Sequence, residues 1–456
     1  MDTSPPLHQA AATKSANIVV AATALGTLLA IMLTTGLTIA IPAIRDQFHS
    51  TDIAVAWVLS GYTLAFAMFS LTGGALADKF GANCTFAIGL GVVAAGSILA
   101  ALAPTVPVIV AGTLLAGAGA ALVLPASLSI IQHTFRDDAK KRHRAISVWA
   151  ASNAVGAAIG PVVCGALVSA LSWRYLFGVI ALLAVVFIII GGRSIAKMPR
   201  HPHKLDIPGQ VLMVVLLGVI AFVAHESAEL PTGAILGGIV LVIVLMVAFW
   251  FVESRSASPM LPPVQLRDGA FGMTALVTIV GTGAFFGGIY IVSVALQDQF
   301  HMSAFVSGLA LLPLAGGNII AAVIAPRITT KIGTRGLMIV GGALLLIALL
   351  LFPLLFASYA TLVIPMVLLG VAFGLLVPST SAAGLARAIR GKEGVASGVT
   401  AGGRELGGAL AAAMLLPLGA PAGLWTAAAI AAVALAMTIV GVRNVDHAPE
   451  GEFVAH

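Results

Sequence analysis

The chain has 456 residues, of which 60% are apolar and only 9% charged, with a mean hydropathy of +1.09. That balance excludes an ordinary soluble domain, in which about a quarter of residues are charged, and points to a polytopic membrane protein. The formal net charge of +6 is carried by loop lysines and arginines, so it calls for no nucleic-acid partner.

Residues 1–17 are polar, carry Lys14 and lack the short apolar core and cleavage site of a signal peptide, so they read as a cytoplasmic tail. A window of about 20 residues then finds fourteen apolar spans, near 18–43, 53–76, 85–103, 107–131, 145–170, 175–195, 207–225, 232–252, 271–296, 304–326, 336–356, 361–385, 395–417 and 421–442. Residues 443–456 form a second tail. With the N-terminus in the cytoplasm, 20 of the 23 lysines and arginines fall in inward loops or tails; Arg45 and Arg174 lie outside, and Arg404 lies within the membrane. This bias predicts that both termini are cytoplasmic and that the number of spans is even. The run from Arg136 to Arg144 is then a solvated inner loop.

Within the fifth span, Gly156, Gly160 and Cys164 recur every four residues, which on a helix makes a smooth stripe for close packing. Pro161 removes an amide donor and bends that helix. The two cysteines, Cys84 and Cys164, are 80 positions apart and form no disulfide or metal pattern. A faint internal repeat links Gly74 to Gly81 with Ala325 to Gly333, matching Lys79 and Gly81 to Lys331 and Gly333. It predicts two related six-helix blocks, at 18–195 and 254–442, with a linker and two further helices at 196–253.

Charges inside a membrane are costly and mark function. Arg404 and Glu405, about ten residues into the thirteenth span, are therefore candidates for binding substrate or protons; the alternative is a structural charge satisfied by neighbouring carbonyls. Asn153, Asn318, Gln297, Ser127, Thr34, Thr35 and Thr38 are polar positions on apolar spans, suited to interhelical hydrogen bonds or to a cavity lining. Tyr62 and Tyr290 offer aromatic surface with a polar handle, or serve as packing or interface anchors. His225, Glu226 and Glu229, at the outer end of the seventh span, read as solvated. His201 and His203 alone make a poor metal site. Asp78, at the inner mouth of the second span, can accept from backbone amides and from Arg144, forming a latch that breaks when the protein opens inward. The sequence has no nucleophile triad, phosphate loop or metal-ligand cluster, so no catalytic residue, metal or cofactor is expected, and the chain is not read as an enzyme.

The chain resembles a major facilitator superfamily transporter, and within that superfamily the fourteen-helix drug:proton antiporter branch. Gly74, Leu76, Ala77, Asp78 and Gly81 match the loop motif between helices 2 and 3. Trp57 and Tyr62 match helix 2, and Gly156 to Gly165, centred on Gly160 and Pro161, is similar to the antiporter motif of helix 5. Phe251, Glu253, Arg255, Pro259 and Leu261 resemble the loop after helix 8, and Gln297, Ser307, Gly308, Leu309 and Pro313 resemble helices 9 and 10. Gly394 to Leu410 resembles helix 13. The departures are Leu33 and Thr38 where helix 1 usually has an acid and an asparagine, Thr113 and Ala116 where helix 4 usually has an arginine and a glutamine, and Ala82 and Asn83 in place of basic residues after Gly81.

The resemblance implies an all-α integral membrane protein with the major facilitator fold. It further implies alternating access and export of small amphipathic or hydrophobic compounds, drug or antibiotic-like, in exchange for protons. The expected setting is the inner membrane of a bacterium, with the lipid bilayer, a small molecule and protons as partners and a monomeric state. Two other readings stand beside it: a transporter of different direction or coupling, and a non-transporting sensor or scaffold on the same fold.

Overall fold

The computed structural model describes residues 7–136, 138–195, 198, 206–227, 229–256, 258–388 and 393–442. Residues 1–6 of the expected N-terminal tail and the whole of the expected C-terminal tail lie outside these residues, as do His201, His203, Lys204, Arg390 and Lys392. Every regular element among the described residues is helical: α1 (Leu7–Phe48), α2 (Asp52–Phe80), α3 (Ala82–Ala101), α4 (Val106–Thr134), α5 (Ala139–Ala170), α6 (Trp173–Ser194), α7 (Ile207–Glu226), α8 (Thr232–Arg255), the short α9 (Pro263–Arg267), α10 (Gly269–Asp298), α11 (Ala304–Ala310), α12 (Leu312–Leu354), α13 (Tyr359–Ala386), α14 (Glu393–Met414) and α15 (Ala422–Gly441). The starts are written locally. The side chains of Thr51, Asp138, Asp206, Asp268 and Ser303 accept hydrogen bonds from the first free amides of α2, α5, α7, α10 and α11.

Twelve of these stretches, among the described residues, are long and apolar enough to cross a membrane, where fourteen were expected. The difference arises at two places. Ala304–Leu354 runs as one 51-residue stretch, because α12 continues helical hydrogen bonding past Gly333, whose backbone (φ 71°, ψ 171°) is not helical and kinks it. Glycine-rich α14, holding Arg404 and Glu405, falls short in apolarity. At the N-terminus, α1 already begins at Leu7, within the stretch expected to be a tail.

The repeat seen in the sequence has a backbone basis. Gly81 (φ 92°) ends α2 and precedes α3, and its matched partner Gly333 (φ 71°) breaks α12. Both adopt the positive φ that a side chain resists, so the same turn follows the second helix of each expected block.

Helices α1 to α6 pack on one another, α1 on α5, α2 on α4 and α3 on both α4 and α6. Helices α10, α12, α13, α14 and α15 form a second set, in which α12 lies along α13. The sets meet where α2 lies on α14, α5 on α11 and α1 on α10. In lipid such contacts are driven by close packing and small residues rather than by burial from water. The stripe on α5 illustrates it. A Cβ added at Gly156 would stand 2.8 Å from the Leu28 carbonyl oxygen, and one at Gly160 would stand 2.9 Å from that of Met32. Helices α1 and α5 therefore touch backbone to backbone, with Cys164 filling the space over Gly36.

Two substitutions separate this packing from mere apolarity. Gly160→Leu should lower the thermal unfolding midpoint in detergent by several degrees, since overfilling a tight contact costs about 1–3 kcal/mol. Gly74→Ala, where an added Cβ meets nothing within 4 Å, should leave the midpoint unchanged.

Candidate functional site

Tyr62 stands ten residues into α2, Tyr290 eight residues before the end of α10, and Glu405 nine before the end of α14. At 1.5 Å per residue all three lie about 12–15 Å from the same end of the bundle, near half the ~30 Å of a hydrocarbon core. They come from three helices that converge there. Glu405 is 7% exposed, and its carboxylate lies within electrostatic reach of both tyrosine hydroxyls and of the Arg404 guanidinium.

These groups differ in how they are satisfied. The Tyr62 hydroxyl donates to the Ala30 carbonyl at 2.9 Å and so braces α2 against α1. Among the described residues neither Tyr290 Oη nor Glu405 Oε2 has a hydrogen-bond partner, although both atoms are buried. Half-buried Arg404 occupies the stripe of α14 that also carries half-buried Ala401 and exposed Ser397, toward the end with the basic loops. Tyr290 stacks on Phe286 at 5.6 Å, and Phe286 meets Phe285 and Phe373 edge to face at 5.3 and 6.0 Å. The phenylalanines escaped the sequence reading, though the run GTGAFFGG at Gly281 to Gly288 sets an aromatic pair among glycines and was a usable signal.

Other expected site residues lie elsewhere. Gln297, in the last turn of α10, donates through Nε2 to the Ile39 carbonyl of α1 at 3.2 Å and so joins the two helix sets. Asn318 packs its carbonyl side against Gly374 of α13. Asn153, on α5, has a buried Oδ1 without a partner among the described residues. Asp78 and Arg144 are both exposed, and no ion pair between them is among those of the described residues, so the expected contact is not present here. The positions where the branch usually places polar groups are packed solid. Leu33, Thr113 and Ala116 have no exposure, and Thr38 and Thr113 bond backbone carbonyls of their own helices.

The end opposite the basic loops is closed by contacts across the two sets. Arg45 pairs with Asp298 at 2.9 Å and with Asp52 at 3.3 Å. Ser169 accepts from the Phe305 amide at 2.9 Å. The Gly165 surface meets the Ala304 carbonyl, and Gly308 meets that of Pro161, so α5 touches α11 around Pro161 and Gly165. A cavity of 820 Å³ lies away from Glu405, between α12 and α13 around the Gly333 kink.

Helix α7 lies over the seam between α2 and α14, with Leu217 and Ala221 against Leu64, Met68, Leu406 and Ala409. Its side-chain hydrogen bonds to other helices, among the described residues, go to α2. Gln210 bonds Thr72 and, at 2.9 Å, the Met68 carbonyl. His225, expected to be solvated, is 2% exposed: it shares a 2.6 Å hydrogen bond with Ser60 and stacks on Trp57 at 4.0 Å, while Trp57 donates to Glu226. Glu229 is exposed as expected.

A family profile described as Major Facilitator Superfamily matches residues 23–412. The chain is 30% identical to a methylenomycin A resistance protein of Bacillus subtilis (strain 168), covering 78% of this chain and 77% of that one. It is 31% identical to a lincomycin resistance protein of Streptomyces lincolnensis, over 84% and 80%. It is 29% identical to a tetracenomycin C resistance and export protein of Streptomyces glaucescens, over 86% and 74%. Among solved structures, a POT family transporter in complex with 5-aminolevulinic acid superposes with a TM-score of 0.71 at 14% identity, over 94% of this chain and 95% of that one, which speaks to the fold alone.

The closed end makes its own prediction. Asp298→Asn should raise the fraction of molecules with the α1 and α10 ends apart, read as a long-distance component between spin labels at those ends. A double-mutant cycle with Arg45→Gln should return a coupling under about 1 kcal/mol, as befits a partly exposed pair.

Proposed function

The chain belongs to the Major Facilitator Superfamily, and we propose that it is a secondary active exporter of small amphipathic or hydrophobic compounds, working by alternating access and driven by proton exchange. The observation that carries this reading is Glu405: a buried carboxyl group with a partnerless oxygen, set at mid-depth among Arg404, Tyr62 and Tyr290. A group that must bind and release a proton while meeting substrate needs such a place, since an unpaired polar atom in hydrocarbon costs several kcal/mol and persists only where it has a task. The positions usually polar in helices 1 and 4 are packed by Leu33, Thr38, Thr113 and Ala116, which leaves Glu405 to carry the coupling alone.

The proposed architecture has fourteen crossings, with α12 divided at Gly333 and α14 counted. It has two six-helix blocks at 18–195 and 254–442, α7 and α8 between them, both termini in the cytoplasm, and a monomer in the inner membrane of a bacterium. The lysine and arginine bias puts the end closed by Arg45 and Asp298 outside. Asp78 and Arg144 then pair when the inner side closes, and Gly160, Pro161 and Gly165 hold the bend on which α5 and α11 turn. The resistance and export proteins that the chain resembles favour antibiotic-like cargo.

Proteoliposomes test the coupling. Acidifying the compartment toward which substrate moves should accelerate transport, and an ionophore should return it to the basal rate. Glu405→Gln should run at the basal rate whatever the gradient, at least tenfold below the driven rate of the parent protein. A variant as fast and as pH-sensitive as the parent would refute the coupling role. Asp78→Asn should abolish transport while the protein remains in the membrane.

A further inference from the structure

The 820 Å³ cavity around the break in α12 lies at the end of the second helix set that carries the basic loops. Its walls run from Gly333 back along α12 to Ala322, with Pro378, Ser379 and Ala382 of α13 opposite. From 322 to 333 is 11 residues, or about 16 Å at 1.5 Å each, close to half of a ~30 Å hydrocarbon core. Ala322, Ala325, Leu337, Pro378 and Ala382 make the lining largely apolar. Beside its deep end, Ile319, Ile320 and Val323 of α12 are exposed. A slot with apolar walls, one leaflet in length and continuous with apolar surface, is suited to an acyl chain.

The polar chemistry gathers at the Gly333 end. Thr329, Thr330 and Ser379 line the cavity there, and their hydroxyls donate to the carbonyls of Ala325, Arg327 and Leu375 at 2.8, 2.8 and 2.7 Å. A hydroxyl has one hydrogen to give, so these three do not also donate to an anion, and charge recognition falls to the cations. Between Gln299 and Lys392 the sequence holds no aspartate or glutamate. Of the lysines and arginines in that stretch, Arg335 donates to the Ile439 carbonyl and Arg387 pairs with Asp268. Arg327 and Lys331 are exposed and make no ion pair among the described residues. Each directly follows a lining residue, Pro326 or Thr330, and their spacing of four puts them on one face of the helix.

We propose that this cavity is a binding site for an anionic phospholipid of the inner leaflet, with the phosphate held by Arg327 and Lys331 at the mouth and an acyl chain lying along the slot toward Ala322. Unpaired cations beside the inner surface attract anionic headgroups, and the apolar walls favour a lipid over a free phosphate. The inference takes from the lysine and arginine bias that this end is the inner one. It is separate from the role of Glu405, so the failure of either leaves the other standing.

Three probes test it on the full-length protein in detergent, with the ratio of bound to free protein read by native mass spectrometry: dioctanoylphosphatidylglycerol, dioctanoylphosphatidylcholine and glycerol 1-phosphate. The expected result is that the phosphatidylglycerol binds at least tenfold more tightly than either of the others. Arg327→Gln combined with Lys331→Gln, both at exposed positions, should bring the phosphatidylglycerol down to the level of the phosphatidylcholine and leave the latter unchanged. Ala382→Phe, which fills the cavity from an exposed lining position, should weaken both lipids alike. Arg255→Gln, which removes a cation lying over Phe251 on α8, should change neither. Equal affinity for the two lipids, or a preference that survives the double substitution, would overturn the role of Arg327 and Lys331. A preference lost equally with Arg255→Gln would assign it to the basic surface as a whole and overturn the site. Lipid binding that ignores Ala382→Phe would overturn the cavity as its place, and glycerol 1-phosphate binding as tightly as the phosphatidylglycerol would overturn the lipid.

Discussion

A polar group that enters hydrocarbon without a partner costs several kcal/mol, and most of this structure follows from avoiding that cost. The hydroxyls of Thr23, Thr27, Thr34, Thr278, Thr282, Ser379 and Thr380 bond carbonyls three or four residues back in their own helices. Arg174 donates to the Ala101 carbonyl that ends α3 and to that of Ala103 just past it, and Arg335 to one near the end of α15, where the helix dipole also favours a cation. Among the described residues the hydroxyls of Ser97, Ser293, Ser307 and Tyr290 and one oxygen of Glu405 are buried atoms that escape this pattern.

Motion depends on a different contrast, between contacts that grip and contacts that slide. Across the two helix sets, among the described residues, the closed end is joined by a partly exposed ion pair, hydrogen bonds from Gln297 and to Ser169, and glycine contacts at Gly165 and Gly308. Contacts of this size can be exchanged for others without unfolding either set. Pro161 belongs here, because its carbonyl is the surface on which Gly308 rests. Helix α7 shows the same contrast, with hydrogen bonds and a ring stack to α2 but apolar contact alone to α14 in the cluster it covers. An element tied on one side and smooth on the other keeps a seam covered while the helices beneath it shift.

Local signals in the chain were strong where a single residue type answers a single demand. Gly81 and Gly333 were matched in the sequence on three residue types, and the backbone gives the match its meaning, since each takes a positive φ at the turn after a second helix. The stripe of Gly156, Gly160 and Cys164 likewise met α1 as its spacing implied. Glu253, a motif residue of the loop after α8, is buried and accepts from the Leu261 amide at 3.2 Å, folding that loop on itself.

The amino-acid sequence by itself determined that the chain is helical and membrane-embedded, where the apolar core of most of its helices lies, and that Arg404 and Glu405 are its costly charges. These follow from composition, hydrophobic length and the price of ionised groups in lipid, which depend on nothing distant. Only the tertiary structure decided that Tyr62 and Tyr290 stand beside Glu405 while Gln297 and Asn318 do not, that His225 is buried on Trp57, and that Asp78 and Arg144 are apart. Nearly every helix here is apolar on all sides, so periodicity does not distinguish a face toward a cavity from one toward lipid. That choice is made by which glycines let which backbones touch, and it is written across helices rather than along any one of them.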